Sequence, residues 1–338
     1  MTWRSPAGPT RASLLAAAIG LPGAPHAVAQ SQPTSPRGDL DPVTVTATRV
    51  EQRNFDAPAA IDSIGADAIG SQKPGVNLSE ALGRVPGVNV LNRQNYAQDL
   101  QVSSRGFGAR AAFGVRGVRL AQDGIPFTMP DGQGQTGLFD LDAGARIEVL
   151  RGPFAALYGN SSGGLIALFT EDPPRQPTWR TTASAGSHGS WKLGAGYGDT
   201  IGALGLRADA SRFATDGYRD HSRTRRDLAG ARLVWSTDPG TSLALNATLL
   251  EQPDTQDPLG LTRQQLEQDP RQAGTGAVAF DTRKRIDHRQ VGLAWERRLD
   301  ASDTLRARGY LGDRRVTQFL AFSGAAPTSS GGVVDLDR

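Results

Sequence analysis

Two polar stretches of the sequence carry side chains suited to holding a small molecule, residues 92–99 and 129–135. The loop around the second stretch has too little apolar surface to pack as core, which favours a role in contact with a ligand. Its glycines let a backbone approach a ligand closely, and amide groups both donate and accept hydrogen bonds. We therefore predict a site for a polar, partly aromatic ligand, formed by Gln94, Asn95, Tyr96, Gln98, Met129, Asp131, Gln133 and Gln135.

The sequence offers little for catalysis or metal binding. Residues 159–163, Gly-Asn-Ser-Ser-Gly, match the G-x-S-x-G pattern of a hydrolase nucleophile elbow. That elbow needs a strand before the serine and a helix after it, whereas a strand-like run follows Ser161. There is no Cys, and the 4 His residues fall near the N-terminus or in predicted loops and strand ends. We predict no enzyme activity, no cofactor and no directly bound metal.

Composition limits the class of protein. The chain has 338 residues and a formal net charge of +3, and this near-balance gives no electrostatic argument for a nucleic-acid partner. Hydrophobic residues make up 38% of the chain, and no run of about 20 apolar residues exists for a membrane-spanning helix. A membrane protein of this composition would have to be a β-barrel, because only helices and closed barrels satisfy their backbone hydrogen bonds in lipid.

From Thr178 onwards, apolar and polar residues alternate with period two in about seven runs. One face is light and apolar, with many Ala residues, and the other is charged, as in transmembrane barrel strands. Short turns alternate with long connections, and Trp179, Trp235 and Trp295 fall at the short-turn rim. Plugged outer-membrane barrels have roughly 22 strands, so we expect this chain to be the N-terminal part of a longer protein.

Ahead of the alternating region lies a mixed α+β unit that must position the polar loops. Three strand-like runs stand out, residues 117–121, 146–150 and 165–170. Turn residues stop the first two runs, Asp123-Gly124 after the first and Arg151-Gly152-Pro153 after the second. Residues 55–91 form a small α/β start, so the two polar loops connect elements of one compact unit.

The motifs of this unit resemble the plug domain of TonB-dependent outer-membrane transporters. The runs that carry the resemblance are Asp123–Pro126, Ile147–Pro153 and Ala156–Asn160. The Met129–Gln135 loop, with Arg105–Arg110 ahead of it, is most similar to the branch that includes a pyrroloquinoline-quinone receptor. The resemblance covers residues 41–174 and implies an α+β plug domain inside an antiparallel transmembrane β-barrel, of which only the first part is present.

The same resemblance implies a function. It places both polar loops at the outward-facing apex of the plug, in the outer membrane of a Gram-negative bacterium. The implied partners are the energy-coupling protein TonB, outer-membrane lipid and a small-molecule ligand, either a ferric siderophore or pyrroloquinoline quinone. A passive porin is an alternative that a plug disfavours, and a soluble α+β binding protein is another, which purification without detergent would support.

The chain divides into four predicted segments. Residues 1–29 read as a signal peptide, with basic Arg4 and Arg11, a short apolar run and an A-x-A site at Ala27–Ala29. Residues 30–54 are a polar linker, residues 55–174 the plug, and residues 175–338 the N-terminal part of the barrel. A disordered Ala/Pro-rich leader is the alternative for the first segment.

An alternating Val/Thr run lies within the linker. Such a segment is extended by preference and can add itself as a strand to the sheet edge of another protein. It resembles the TonB box of the family, although it could instead be the first edge strand of the plug. The predicted TonB-binding residues are Asp41, Pro42, Val43, Thr44, Val45, Thr46 and Ala47.

Two plug arginines, Arg105 and Arg151, match the R-G and R-G-P motifs of the family. The resemblance implies that they face glutamates of the barrel wall in a buried charge cluster. A buried guanidinium needs such partners, because an unpaired buried charge costs several kcal/mol. The alternative is that both arginines are solvated at turns.

Overall fold

The structure is a computed structural model that describes residues 44–45, 52–70, 73–111, 113–152, 155–159, 161–322 and 330–338. Its first part is the plug, an α+β unit, preceded by a two-residue strand. The elements in chain order are β1 (Thr44–Val45), β2 (Gln52–Arg53), β3 (Ala60–Gly65), α1 (Ala66–Gly70), α2 (Ser79–Leu82), β4 (Val88–Leu91), β5 (Gln101–Ser104), β6 (Arg119–Gln122), β7 (Ile125–Pro126), β8 (Gly144–Arg151), α3 (Ala155–Tyr158) and β9 (Gly164–Thr170).

A five-stranded mixed sheet, in the order β3-β8-β9-β6-β7, is the centre of the plug. β6 and β9 run parallel, and the other pairs are antiparallel. The predicted stop at Asp123-Gly124 is a two-residue hairpin turn joining β6 to β7, and both residues have positive φ, 49° and 79°. This is the conformation that Asp-Gly favours, because glycine adopts it without steric cost.

The second part is an eight-stranded antiparallel sheet in which every strand pairs with the next one along the chain. Its strands are β10 (Thr178–Ala185), β11 (Trp191–Ile201), β12 (Leu204–Thr215), β13 (Thr224–Asp238), β14 (Thr241–Gln256), β15 (Arg283–Arg298), β16 (Thr304–Phe322) and β17 (Ser330–Asp337). β10 and β17 are its edges among the described residues, so the sheet is the first part of a barrel and does not close on itself.

The expected number of strands, about seven, is one too few. β17 was missed because its outward residues include no apolar stripe: Asp335 and Asp337 lie opposite Thr317 and Arg315 of β16. The strand therefore lacks the light apolar face by which the other seven were recognised. Its backbone pairs with Arg315–Phe322 of β16, the end of that strand that lies beyond the apolar band.

The alternation in the sequence separates two faces of this sheet. Leu193, Trp235 and Leu311 are exposed on the outer face, whereas Lys192 and Arg207 are buried on the inner face against the plug. Trp235 and Trp295 both lie opposite Leu243, at the end of the strands that carries the short turns. An apolar outer band with an aromatic rim and a polar inner face is the expected pattern of a transmembrane barrel.

Toward the opposite end, the outer face changes to charged residues. Six cross-strand neighbours form one row there: Arg212, Asp227, Glu251, Asp287, Arg315 and Asp337. The row bounds the apolar band on the side of the long loops, which are therefore the external loops.

The longest external loop, residues 257–282, contains two short helices, α4 (Arg263–Gln268) and α5 (Thr275–Ala279). Thr262 caps α4, and its side chain accepts a hydrogen bond from the backbone N–H of Gln265. No helix among the described residues is long and apolar enough to cross a membrane.

The inner face of the sheet is shaped to the plug. Leu228, Leu250, Ile286 and Val316 of the wall join the buried core of the plug in one cluster. At one close approach between the two the wall has glycine, since a Cβ at Gly292 would lie 2.6 Å from Ile125 of β7. The plug is thus packed directly against the wall, and this packing positions its apex below the external loops.

Candidate functional site

A cleft lies between the apex of the plug and the wall, and we call it the apex cleft; its cavity volume is about 40 Å³. Small-molecule sites have volumes of roughly 300–1,000 Å³, so a ligand of that size must displace contacts around the cleft in order to enter. Four of the eight predicted ligand residues line it: Asn95, Tyr96, Gln98 and Gln135. From the wall, Phe213, Arg226 and Gln252 close the other side.

Asp257 joins the plug apex to the long external loop. Its carboxylate oxygens accept hydrogen bonds from Asn95 Nδ2, at 2.7 Å, and from Gln98 Nε2, while the backbone N–H of Leu259 donates to it at 3.0 Å. The side chain is almost fully buried, with 2% exposed. Because three donors converge on one carboxylate at the first residue of the loop, the loop and the plug are held together beside the apex cleft.

We expect Asp257→Ala to loosen the external loop. The substitution leaves the amides of Asn95 and Gln98 without their charged acceptor, a loss of about 1.5–3 kcal/mol for a hydrogen bond to a charged group. Amide hydrogen exchange over residues 257–282 should therefore accelerate about tenfold or more. Exchange in β14 should not change. The matched control is Asp254→Ala, since Asp254 is nearby and half-exposed, and its partner Arg223 lies 3.7 Å away. Equal exchange in the two variants would refute the role of Asp257.

A second external loop, residues 216–223, is tied to the first by Arg219. Its guanidinium donates to the carbonyl oxygens of Pro258, Leu259 and Gln272 at 2.5–3.1 Å. His221 Nε2 lies 2.9 Å from the carbonyl oxygen of Thr282, at the far end of the same loop. The two loops, residues 216–223 and 257–282, form one connected external cover. Asp257 connects this cover to the plug.

The predicted ligand residues occupy different environments. Tyr96 packs its ring on Phe213 of the wall, with the centroids 5.1 Å apart, and burial raises the pKa of its phenol. Gln94 is exposed and has a positive φ of 53°. Met129 is half-buried at the start of a tight turn closed by Gly132. Asp131 is ion-paired with Arg116 at 3.2 Å, so its carboxylate already has a partner.

The two glutamines of the second polar loop are buried, each with 2% of its surface exposed. Gln135 donates a long hydrogen bond of 3.5 Å to Asp99, and Gln133 accepts one from Arg338. Gln135 still borders the apex cleft, whereas Gln133 packs beneath Gly114. Contact between these residues and a ligand stays a prediction, and their packing gives them a second role.

Inward-facing cations of the wall hold the plug through carboxylates. Lys284 of β15 pairs with Asp99 at 2.7 Å, and Lys192 of β11 pairs with Asp142 at the same distance. Arg207 of β12 pairs with Glu171 at 2.6 Å. These contacts join three strands of the wall to three separate positions in the plug sequence, which fixes the orientation of the apex.

Asp140 lies among these ion pairs without a cation of its own at ion-pair distance among the described residues. Burial raises the pKa of its carboxyl to about 6, and the nearby carboxylates of Asp142 and Asp209 contribute, while Lys192 opposes them. The carboxyl also accepts the backbone N–H of Asp142 at 3.1 Å. The folded protein therefore holds a proton at Asp140 that an unfolded chain gives up near pH 4.

This raised pKa makes a contribution to stability that is present below about pH 4 and is lost as the pH rises through about 6. Asp140→Asn keeps the shape and the acceptor oxygen but cannot ionise. Relative to wild type, the variant should be similar in stability at pH 4 and more stable at pH 7, by at most about 3 kcal/mol for a shift of about two pKa units. Thermal unfolding of the detergent-solubilised receptor at both pH values measures this. A difference that does not change with pH would contradict it.

Arg151 and Arg105 lie at one corner of the plug, both near Gly87. The guanidinium of Arg151 is paired with Asp62 of β3 and donates to the carbonyl oxygen of Pro86 at 2.6 Å. Arg105 is exposed and has a positive φ of 50°. The predicted contact with barrel glutamates stays a prediction, and within the described residues Arg151 has an acidic partner in the plug itself.

Of the predicted TonB-binding residues, Thr44 and Val45 lie within the described residues. They form β1, which pairs antiparallel with Arg53 and Gln52 of β2. Asp41, Pro42, Val43, Thr46 and Ala47 lie outside the described residues. The extended conformation expected of this segment is present at its two described positions.

The serine of the G-x-S-x-G match lies in the structural context that the sequence predicted. Ser161 is buried, and strand β9 follows it at Gly164 where a nucleophile elbow would have a helix. The described residues also contain no group of three or more His, Asp or Glu side chains able to hold a metal ion. The chemistry available at the apex cleft is hydrogen bonding and charge.

An α+β plug packed against the polar inner face of an antiparallel sheet, whose outer face is apolar, defines a plugged outer-membrane receptor. Residues 53–165 match the family model of the TonB-dependent receptor plug domain. A hemin receptor of Yersinia pestis is 32% identical over 250 residues, which cover 69% of this chain and 36% of that protein. The vitamin B12 transporter BtuB of Photobacterium profundum is 33% identical over 170 residues, covering 49% of this chain and 26% of that one.

Solved structures agree on the fold. The unliganded ferric citrate transporter FecA superposes with a TM-score of 0.68 at 21% identity, covering 80% of this chain and 42% of FecA. The ferripyoverdine receptor of Pseudomonas aeruginosa gives a TM-score of 0.64 at 18% identity, covering 88% of this chain and 40% of the receptor. The chain therefore carries the plug domain of a TonB-dependent receptor, and the rest of its described length resembles the barrel wall of these outer-membrane receptors.

The chain spans about a third of the length of the curated relatives it matches. Those relatives are receptors and transporters by name, in agreement with the prediction that the chain is not an enzyme. The plug and the partial barrel predicted from the sequence are confirmed. The narrower likeness to the branch with the pyrroloquinoline-quinone receptor stays a prediction.

Sequence reasoning did not identify Asp257, Arg219 or Arg226. Asp257 and Arg219 lie in external loops, where side-chain spacing carries no period that could reveal a common site. Arg226 lies in β13 and alternates with its neighbours as any inward residue does. Asp257 is followed by Pro258 and opens a polar loop, and this is also how an ordinary solvated aspartate would look. Only the packing of the loop on the plug distinguishes it.

Proposed function

We propose that the receptor captures a scarce extracellular small molecule in the apex cleft and imports it actively into the periplasm. Energy would reach the plug from TonB through the segment 41–47. The proposed ligand is a ferric siderophore or pyrroloquinoline quinone, bound by the predicted apex residues together with the wall. The hemin, vitamin B12 and siderophore receptors among the relatives support a ligand of this kind by their names.

The observation that carries this proposal is the contact of Asp257 with Asn95 and Gln98 beside the apex cleft. A ligand that enters the cleft and engages the amides of Asn95 and Gln98 competes with Asp257 for the same donors. Binding would then alter both the external cover and the plug, because these residues belong to both. A ligand-dependent change of this sort at the apex is what a receptor needs in order to signal occupancy to the periplasmic side.

The periplasmic step would use strand addition. β1 is a two-residue strand paired on one side with β2, so an extended partner segment can hydrogen-bond to its backbone. Pulling on such a segment would act on the plug through β2 and β3. In this proposal residues 1–29 direct export, residues 30–54 form the linker, residues 55–174 are the plug, and residues 175–338 are barrel.

The plug also argues against a passive pore. Its core continues into the wall through Leu228, Leu250, Ile286 and Val316, and its carboxylates are ion-paired with wall cations. A route for free diffusion along this part of the wall would require these contacts to break. Import through the receptor would therefore need work done on the plug.

Ligand binding to outer membranes tests the proposal. Membranes from cells that produce the receptor are compared with membranes from cells that lack it, using ferric enterobactin, ferric citrate, hemin, cyanocobalamin and pyrroloquinoline quinone as separate probes. We expect saturable, receptor-dependent binding of a siderophore or of pyrroloquinoline quinone. Receptor-dependent binding of cyanocobalamin or hemin alone would overturn the ligand class, and binding of none of the five would overturn the proposal.

A further inference from the structure

Arg226 is a wall cation without a carboxylate partner among the described residues. Three other inward-facing cations, Lys192, Arg207 and Lys284, each have one within ion-pair distance. Arg226 instead donates to the backbone carbonyl oxygen of Val76. A guanidinium has five N–H donors in a planar fork, and one neutral acceptor leaves most of that capacity unused.

Arg314 of β16 also has no carboxylate at ion-pair distance among the described residues, but its surroundings differ. It is sealed against the plug with 1% of its surface exposed, and it donates to the carbonyl oxygen of Phe127 at 2.8 Å. Arg226 borders the apex cleft and keeps part of its surface exposed, although burial lowers the pKa of its guanidinium. Of the two, Arg226 is the guanidinium that a molecule in the cleft can reach.

The other groups that line the cleft add donors rather than negative charge. Tyr96 contributes a phenol whose pKa is raised by burial, so it stays a neutral O–H group at physiological pH. Asp99 is the acidic residue among the lining groups, and both of its oxygens are engaged. One is paired with Lys284 at 2.7 Å, and the other accepts the backbone N–H of Gly114 at 2.6 Å.

The cleft thus presents one cation with no carboxylate at ion-pair distance among the described residues, next to a neutral phenol and several amides. The carboxylates of Glu80, Asp140 and Asp142 act on Arg226 only from further away. A partly buried charge without a counter-ion is costly, and the cost is recovered when an anion binds. The planar fork of arginine matches a carboxylate in two parallel hydrogen bonds, which a lysine cannot reproduce.

We infer that Arg226 binds a carboxylate of the ligand in the apex cleft, so that the receptor selects carboxylate-bearing ligands over neutral or cationic ones. This inference rests on the proposed function, since it assigns the ligand chemistry of the same site. It adds a wall residue to a site that the plug loops alone had defined.

The inference also gives the cleft two distinct parts. Arg226 lies at the Val76 side and would hold the charged arm of the ligand, whereas Asn95 and Gln98 lie at the Asp257 side and would hold neutral polar groups. A ligand that spans both would be fixed to the wall by its carboxylate and would compete with Asp257 by its other end.

The test uses Arg226→Gln and Arg226→Lys in the full receptor. Arg225→Gln is the matched control, since it removes the same charge one residue away and its side chain is half-exposed and paired with Asp227 at 3.2 Å. The probes are pyrroloquinoline quinone and ferric citrate, which carry carboxylates, and cationic ferrioxamine B. Each is measured by equilibrium binding to outer membranes that contain equal amounts of receptor.

For the carboxylate probe that binds wild type, we expect Arg226→Gln to weaken binding about ten- to a hundredfold, and Arg226→Lys to weaken it less. Arg225→Gln should bind as wild type does. Unchanged binding to Arg226→Gln, or tighter wild-type binding of ferrioxamine B than of either carboxylate probe, overturns the inference while leaving the proposed function in place. Absence of binding by all three probes in wild type overturns the inference together with a carboxylate ligand for this receptor.

Discussion

Replacing Val45 with proline is expected to abolish ligand import while leaving ligand binding at the cell surface intact. Proline removes the backbone N–H of residue 45 and fixes its φ near −65°. Strand addition depends on backbone hydrogen bonds along an extended segment, so an added TonB strand would lose a bond at the centre of the predicted box. The substitution is remote in sequence from every residue that lines the apex cleft.

The measurement compares surface binding and accumulation of a radiolabelled ligand in the same cells. Val45→Thr is the matched control, because threonine is also β-branched and keeps the N–H. Accumulation should fall to the level of cells without the receptor in Val45→Pro and stay near wild type in Val45→Thr. Full import by Val45→Pro would show that energy coupling does not depend on this strand.

Lys284→Met is expected to weaken the attachment of the plug to the wall. The ion pair with Asp99 is buried on both sides, with 2% of the lysine side chain and 13% of the aspartate side chain exposed. Removing one partner of a buried pair leaves an uncompensated charge, which typically costs about 3–5 kcal/mol. Asp99 also holds Gly114 and Gln135 at the apex, so the cost falls where the ligand site is built.

Amide hydrogen exchange in β5, beside Asp99, reports the loss, and the double variant Lys284→Met with Asp99→Asn should recover part of the protection. Arg315→Met is the matched control, because its pair with Asp337 has a similar length of 2.9 Å but is exposed on the outer face. An exposed pair contributes about 0–1 kcal/mol. Equal effects of Lys284→Met and Arg315→Met would show that the buried pair does not hold the plug.

The parts of this fold that follow from a local period could be predicted from the sequence. Seven of the eight wall strands show their outward apolar face directly as alternation, because side chains in a strand point to opposite sides in turn. The turn at Asp123-Gly124 was predictable because few residue pairs adopt positive φ at both positions. The Asp123-Gly124 pair therefore indicates a turn with positive φ at both residues without reference to the rest of the fold.

The wall side of the site could not be predicted, because it depends on which side chains meet across a packed interface. Arg226 alternates with its neighbours as any inward residue of β13 does, and its position opposite the plug apex follows from the register of four strands. Asp257 gains its role through Asn95 and Gln98, more than 150 residues earlier in the chain. No sequence pattern links residues at such separations.

The contact of Arg151 also depends on packing that the sequence does not reveal. The family motif implies a partner on the barrel, whereas the described structure gives this guanidinium Asp62, on the strand that pairs with β8. Ala60 is the cross-strand neighbour of Arg151, and Asp62 lies two residues further on the same face. Once the register of β3 with β8 is known, this contact is expected, but the register itself was not predicted.

The most direct test of the account is ligand accumulation in paired strains with and without TonB, both producing equal amounts of the receptor. We predict that the ligand binds the surface of both strains equally and accumulates inside only when TonB is present and the membrane is energised. Equal accumulation in the two strains would contradict active import and would identify a passive route through the wall.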